Sequence, residues 1–398
     1  MKIAYFVHCF PPAKGGLEFL SGEIVKILRE AGHEVHVFTG KGQTLDSYKT
    51  FSNWVDESDD DEYIHRLPLN FFWQRLTNKF LYHFVVKFGV LSPWYFGPLL
   101  KFGEREEQII KKCDLIFGAG MPTMMFYKAY TYAKRFNKRL ILHPSYHDVR
   151  YYNNVPFFQK AISYANKVIL QTPLEEKRLA KNYKLRPKQV LRLTYSGLSR
   201  DMIANKKAII SRQATNIQNK ILQNKKITLG FVGQISTRKN YQILVKLLEL
   251  FLKEPFSNNI KIQFLFAGVA TNTSFVVEDM FDEYQDNVRF IYNFSKPKEV
   301  YNQIDIFINP SREESLGLVN FEAMFNLIPT FVDQSSAFAS LIDCAALKYN
   351  TVKDLHDGII NIIHSSVASK TLLINRQLDF LSIYTTDNYK NKLINNIN

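Results

Sequence analysis

The chain has 398 residues, too many for one ordinary core, and at roughly 150 residues per domain it divides into two or three. Hydrophobic residues make up 46% and charged residues 22%, as in globular proteins, and no apolar run reaches the ~18 residues of a membrane-crossing helix. Cys9, Cys113 and Cys344 are widely spaced and form no C-x-x-C pair, which argues for a reducing compartment and against structural zinc; the formal net charge of +14 favours anionic partners.

Ile3 to Val7 is an apolar run fit for a buried parallel strand, broken by Pro11 and Pro12. After Gly15 and Gly16, the residues Leu17, Leu20, Ile24, Leu28 and Ala31 repeat at helical spacing; Gly32 ends the helix, and Glu34 to Thr39 is a second strand. The result is a βαβ unit whose glycine pair places helix amides where a phosphate or sugar can sit. The first Met1–His8 run is too short for a signal peptide, so a cytoplasmic protein, soluble or peripheral on the inner face of the cell membrane, is expected.

Asp59-x-Asp61 imitates a metal-binding pair, but it stands in a polar loop before Tyr63 to Leu67 and reads as solvated. From Phe71 to Val90 two stripes run at four-residue spacing: Phe72, Leu76, Phe80, Phe84 and Phe88 beside Arg75, Lys79, His83 and Lys87. Such a segment, with Trp73 and Trp94 near it, either lies on an anionic membrane surface or packs its Phe stripe into the first domain, and one face can do each. Residues 71–102 are therefore the expected membrane contact.

Leu115 to Phe117 and Leu140 to Leu142 are further buried strands, the second leading into His143-Pro144-Ser-Tyr-His147-Asp148. The two histidines have helical metal-pair spacing, but Pro144 disfavours a helix there. Val168 to Leu170 and Val190 to Leu193 follow as strands, with a helix over Leu174–Asn182 between them. The Lys-, Asn- and Gln-rich stretch from Ser199 to Lys226 marks the domain boundary, placed at 205/206.

A second α/β pattern opens with the strand Ile227–Val232, the loop Gly233-Gln234-Ile-Ser-Thr-Arg238-Lys239-Asn240 and a helix from Tyr241. A lysine beside a helix N-terminus can hold a diphosphate, whose charge exceeds the roughly half positive charge of the helix end. Ile262 to Ala267, Val288 to Ile291 and Pro329 to Val332 supply more strands, and helices finish the chain, residues 376–398 forming the last.

Between them runs Ile306-Phe-Ile-Asn-Pro-Ser-Arg-Glu-Glu-Ser-Leu-Gly-Leu-Val-Asn-Phe-Glu-Ala-Met324, a short strand, a loop and a helix start. Pro310 stops the strand, Ser315 is the expected N-cap, and Gly317 lets backbone approach a ligand. The amides of Ser315, Leu316, Gly317 and Leu318 then form an anion site. Glu322 lies on a largely apolar helix with no basic neighbour three or four residues away, so either a distant Lys or Arg or a ligand must bind it.

The motif P-S-x-x-E-S-x-G-L-x-x-x-E-A-M, with Glu314 and Glu322, resembles the signature of the retaining glycosyltransferases of family 4 (glycosyl transferases group 1). Pro11-Pro12-Ala13-Lys14-Gly15-Gly16-Leu17-Glu18 is similar to that family's opening loop, and Gly233 to Asn240 to its G-R-L-x-x-x-K-G, with Gln234 in place of the arginine. Tyr195-Ser-Gly197-Leu198 loosely matches its end-of-domain turn and Asn293-Phe-Ser295 falls where relatives contact the nucleobase, whereas Asp333 to Ala337 lacks the usual glycines. The resemblance implies a GT-B fold: two Rossmann-like α/β domains facing a central cleft, residues 1–205 binding acceptor and 206–375 binding nucleotide sugar, with the last helix crossing back.

It further implies a hexosyltransferase-type enzyme with no cofactor and no metal, moving sugar from a nucleotide diphosphate sugar to a glycan or lipid-linked acceptor. Glu322 would bind the ribose, Glu314 the donor sugar, His147 the sugar or its phosphate, and Lys239 the diphosphate. Gly15, Gly16, Gln234, Arg238 and the 315–318 amides would complete the donor site. The alternative is a non-catalytic GT-B subunit or chaperone of another transferase, motivated by Gln234 and the altered 333–337 loop. Nucleic acid is not an expected partner, since no base-reading helix or aromatic RNA motif is present.

Overall fold

The computed structural model describes residues 1–13, 15–55, 61–78, 97–147, 155–207, 209–210, 214–215, 219, 226–253, 260–270, 273–294, 296–342 and 347–397. These form two compact units, Met1–Leu193 with Lys390–Asn398, and Thr194–Tyr389. The division precedes the expected 205/206 boundary because Leu198, Ile203, Ile210 and Ala214 are buried in the second unit's core.

The first unit holds a sheet of seven strands: β1 Lys2–Phe6, β2 Glu34–Thr39, β3 Ile64–Arg66, β4 Leu115–Ala119, β5 Arg139–His143, β6 Lys167–Leu170 and β7 Val190–Arg192. They run parallel in the order β3-β2-β1-β4-β5-β6-β7. Helices cover both faces of such a sheet, which is why its strands read as unbroken apolar runs rather than alternating ones. Ile3, Ala4, Tyr5 and Phe6 are all fully buried, and Tyr5 stacks on Phe117 of β4 at 4.8 Å. The Gly16–Glu30 helix turns Leu20, Ile24, Ile27 and Leu28 into this core and stops at Gly32, which takes the left-handed φ of +82° expected after a helix end.

The second unit repeats the plan with six parallel strands: β8 Lys226–Val232, β9 Lys261–Gly268, β10 Val288–Tyr292, β11 Ile306–Asn309, β12 Thr330–Asp333 and β13 Lys348–Tyr349. Their order is β10-β9-β8-β11-β12-β13. The Gln242–Lys253 helix buries Leu244, Leu247, Leu248 and Phe251 against the sheet, each such side chain contributing about 1.5–3 kcal/mol of transfer free energy. The chain ends in helices Val352–His364, Val367–Ile383 and Thr386–Ile397; the last begins in the second unit and finishes in the first, where Leu393 and Ile397 are fully buried.

Of the double stripe after Phe71, the helix Phe71–Leu76 is described, while Lys79, Phe80, His83, Phe84, Lys87, Phe88 and Trp94 lie outside the described residues. Gln74 anchors that helix from its buried side, accepting a 2.9 Å bond from the Leu99 amide, and Phe72 on the other side is 70% exposed.

Candidate active site

In an open parallel sheet, ligands bind beyond the carboxyl ends of the strands, where the strand order reverses. In the second unit that reversal falls between β8 and β11, so the loops 233–240 and 310–317 hold the position. The first loop extends the ladder past β8: the Gly233 amide donates to the Ala267 carbonyl at 2.9 Å and Ile235 to Val269 at 3.1 Å. A single tight turn over Thr237–Lys239 follows, and Asn240 closes it at φ 59°, a left-handed conformation that asparagine tolerates where the family pattern has glycine.

This turn presents Lys239 to Glu314 of the second loop, and the two form an ion pair with side chains 18% and 17% exposed. Removing either partner would strand a half-buried charge. Glu314 is held from its other oxygen by Asn309 Nδ2 at 3.4 Å. Asn309, at the end of β11, also donates to Asn320 Oδ1 at 3.1 Å and accepts from the Ser311 amide at 3.1 Å, while Asn320 Nδ2 donates to the Gly317 carbonyl at 2.9 Å. Two buried asparagines thus shape the loop, and neither carried a sequence signal beyond its place in the motif.

Gly317 is the residue around which this loop closes. It sits at φ +81°, and a Cβ there would overlap the Glu314 carboxylate and stand 2.7 Å from Asn320 Nδ2. The helix Leu318–Phe325 therefore starts one step after Gly317, which is its N-cap. Ser315, the expected cap, stays in the loop ahead of it, because the left-handed glycine and the Asn309–Asn320 bond set the start of the helix. Leu316 plugs the loop into the core at 3% exposure.

Glu322, on the same helix, is exposed, and its carboxylate accepts a 2.6 Å hydrogen bond from the hydroxyl of buried Tyr301. Burial, and then the Glu322 charge, raise the Tyr301 hydroxyl pKa well above its usual value. Among the described residues Glu322 makes no ion pair, so the distant Lys or Arg allowed by the sequence is replaced by a tyrosine. Gln234 is exposed and contributes its carbonyl to the Tyr241 hydroxyl at 3.2 Å. Arg238 lines a cavity of about 340 Å³ with Thr237, Asn240, Gln242, Arg312 and Glu313. Arg312 Nε donates to Asp333 at 2.7 Å, and the other Asp333 oxygen accepts from the Ser335 amide and hydroxyl. The glycine-free 333–337 loop is organised by that aspartate.

In the first unit the reversal falls between β1 and β4. His8 follows β1, and its Nε2 stands 3.5 Å from Glu18, both side chains being buried. Glu18 fills the space a Cβ on Gly15 would need, whereas a Cβ on Gly16 would meet nothing within 4 Å. A side chain at position 15 would thus displace the Glu18 carboxylate, whereas one at position 16 would displace nothing. Cys9 joins His8 and Glu18, each offering a ligand atom within 4.8 Å of the others; the signal for Glu18 is the final letter of P-P-x-x-G-G-x-E.

His143, at the end of β5, is fully buried, neither ring nitrogen has a hydrogen-bond partner among the described residues, and burial lowers its pKa to about 4. His147 is half-buried four residues on. Asp61 is tied to Arg29 at 2.5 Å and to the Tyr63 amide at 2.9 Å, so it has a structural partner; Asp59, Asp148, Lys14 and Ser295 lie outside the described residues. The structure therefore groups Lys239, Glu314 and Gly317 at one strand-order reversal, with Glu322 further along the Gly317-capped helix, and keeps Gly15, Gly16 and His147 in the first unit.

Residues 213–375 match the family described as Glycosyl transferases group 1. No curated protein matches the sequence. Among solved structures, the chain is similar to HepE of Anabaena in complex with UDP, at 13% identity and a TM-score of 0.67, covering 100% of this chain and 99% of that one. It is also similar to sucrose-phosphate synthase of Thermosynechococcus elongatus, at 15% identity and TM-score 0.65 over 98% and 97% of the two chains. A third is the UDP-forming α,α-trehalose-phosphate synthase of Burkholderia xenovorans in complex with glucose-6-phosphate, at 10% identity and TM-score 0.65 over 100% and 99%. Matched to these structures along almost its whole length, this chain has the GT-B fold of two Rossmann-like units, and residues 213–375, within the second unit, are those that match the glycosyl transferases group 1 family.

Proposed function

We propose that this protein is a retaining glycosyltransferase that moves a hexose from a nucleotide diphosphate sugar to a glycan or lipid-linked acceptor on the cytoplasmic side of a membrane, without a metal ion. The observation that carries the reading is the Lys239–Glu314 pair, fixed over Gly317 at the strand-order reversal of the second unit. In transfer, negative charge develops on the departing diphosphate. In this reading Lys239 and the amides around Gly317 stabilise it, as preorganised donors stabilise an oxyanion.

Glu314 takes the sugar side and Glu322, steadied by Tyr301, the ribose. His147 contacts the sugar or its phosphate. Gln234 supplies a hydrogen-bond donor where relatives have a charge, leaving more of the donor binding to the 314–322 element. The UDP bound to HepE and the glucose-6-phosphate bound to the trehalose-phosphate synthase favour a nucleotide-linked donor and a sugar-type acceptor. For the membrane side of the reading, support comes from Phe71, Phe72, Trp73 and Leu76, all exposed beside Arg75.

A thermal-shift panel of uridine, guanosine and adenosine diphosphates tests the reading. One of them, at 100 times its dissociation constant, stabilises by about 2.7 kcal/mol. Wild-type protein that binds none of the three overturns it. Binding without donor turnover favours the non-catalytic subunit instead.

A further inference from the structure

The loop that carries His147 is held in a conformation that its own sequence does not favour. Ser145 sits at φ +49°, in the left-handed region, and residues other than glycine persist there only where their surroundings dictate it. Three contacts do so: the Pro144 carbonyl accepts from the Met121 amide at 2.7 Å, the Tyr146 hydroxyl accepts from Asn182 Nδ2 at 2.9 Å, and the Tyr146 amide donates to Glu175 Oε1 at 2.7 Å. The last contact is unusual, because Glu175 is 1% exposed and its carboxylate makes no ion pair among the described residues.

Glu175 stands in the first turn of the Pro173–Asn182 helix, capped by Thr172, whose hydroxyl accepts from the Glu175 amide at 3.0 Å. A glutamate at this position commonly turns back to its own helix start. Here one oxygen does so, taking the Gln171 amide at 2.6 Å, and the other reaches across to the neighbouring strand-end loop. One buried carboxylate thus fastens the loop after β5 to the loop after β6. Burial pushes its pKa up to about 7 despite the three amide contacts that favour the charge. A carboxylate buried without a cation is costly even when amides bond to it, and a helix cap alone would not need it, since Thr172 already supplies one.

We propose that Glu175 is a positioning residue for the transfer reaction, fixing the strained 144–147 loop so that His147 is presented to the donor. The inference rests on the role given to His147 above. It names a residue outside every motif of the sequence, and one that acts through the backbone.

The experiment compares Glu175→Gln and Glu175→Ala with wild type by hydrogen exchange and by steady-state kinetics, each also in a His147→Ala background. Glu175→Gln keeps the volume but offers one acceptor to two amides. The expected result is exchange about tenfold faster at Tyr146 or Gln171, the equivalent of one lost hydrogen bond. It comes with a lowered kcat at nearly unchanged KM for the nucleotide sugar. In the His147→Ala background the same substitution changes exchange but not kcat, as residues that act through one another are non-additive. A purely structural residue would lower kcat equally in both backgrounds, and that outcome overturns the proposal, as does unchanged exchange at both amides. If His147→Ala alone leaves kcat at the wild-type value, the role of His147 is wrong and the positioning inference falls with it, while diphosphate binding still reports separately on the transferase reading.

Discussion

Replacing Gly317 with alanine asks whether the loop before the Leu318–Phe325 helix is shaped as described. The backbone at φ +81° places an added Cβ into the Glu314 carboxylate and 2.7 Å from Asn320 Nδ2. The left-handed conformation alone costs a side-chain-bearing residue about 1–2 kcal/mol. Displacing Asn320 weakens its bonds to Gly317 and Asn309, together about 1–2 kcal/mol, and moving Glu314 disturbs the pair with Lys239. The expected loss is therefore about 2–4 kcal/mol, which for a unit of this size lowers Tm by roughly 5–15 °C. Diphosphate binding, measured by titration calorimetry at a temperature where the variant is folded, should weaken as well, because the ion pair and the helix-start amides shift together. A variant with Tm within about 1 °C of wild type and unchanged diphosphate affinity would refute the account. Gly16→Ala is the contrasting case: nothing stands within 4 Å of its Cβ, and at a helix start the change should leave Tm level or raise it slightly, by up to about 1 kcal/mol of stability.

Lys239→Ala should cost about 1–3 kcal/mol of stability, discounted for partial exposure, by removing the cation that faces the Glu314 carboxylate, and should weaken diphosphate binding about 10–100-fold; calorimetry checks both. Glu322→Ala should abolish donor turnover while costing no more than about 1–3 kcal/mol of stability, since Glu322 is exposed and the loss is that of the acceptor for the buried Tyr301 hydroxyl. His143 should make the first unit acid-sensitive: its folded pKa of about 4 lies below the unfolded value, so its contribution is present above pH ~6.5 and is lost as pH falls toward 4, by at most about 3 kcal/mol. His143→Phe should flatten that limb of the stability profile in urea titrations. Sedimentation with anionic vesicles should carry the wild type down and lose the protein on charge reversal at Arg75, Lys79 and Lys87; unchanged binding disposes of the membrane reading.

The strands were legible because parallel strands covered on both faces are written as short, unbroken apolar runs, Ile3 to Val7 and Ile227 to Val232 among them. Glycine and proline punctuation located the loops between them, and Lys239, Glu314 and Gly317 were visible as a spaced pattern. The way these residues meet was not. The Asn309–Asn320 bond joins a strand end to a helix start eleven residues away, and no periodicity marks it. Tyr301 looks in sequence like one more aromatic core residue, and only its hydroxyl's bond to Glu322 separates it from that crowd. The start of the helix moved from Ser315 to Gly317 for a related reason. Serine is the better cap by local propensity, but tertiary contacts had already fixed glycine's backbone. Glu175 was hidden inside an ordinary charged helix, since nothing local tells a buried glutamate from a solvated one.

The last helix, shared between the two units, makes the chain's division discontinuous in sequence. A fragment ending at residue 193 lacks residues 390–398 of its own unit, the fully buried Leu393 and Ile397 among them. Residues 194–389, by contrast, form an unbroken segment. Dissection is therefore lopsided. The second unit can be expressed by cutting the chain once on each side, while the first needs a linker that restores residues 390–398.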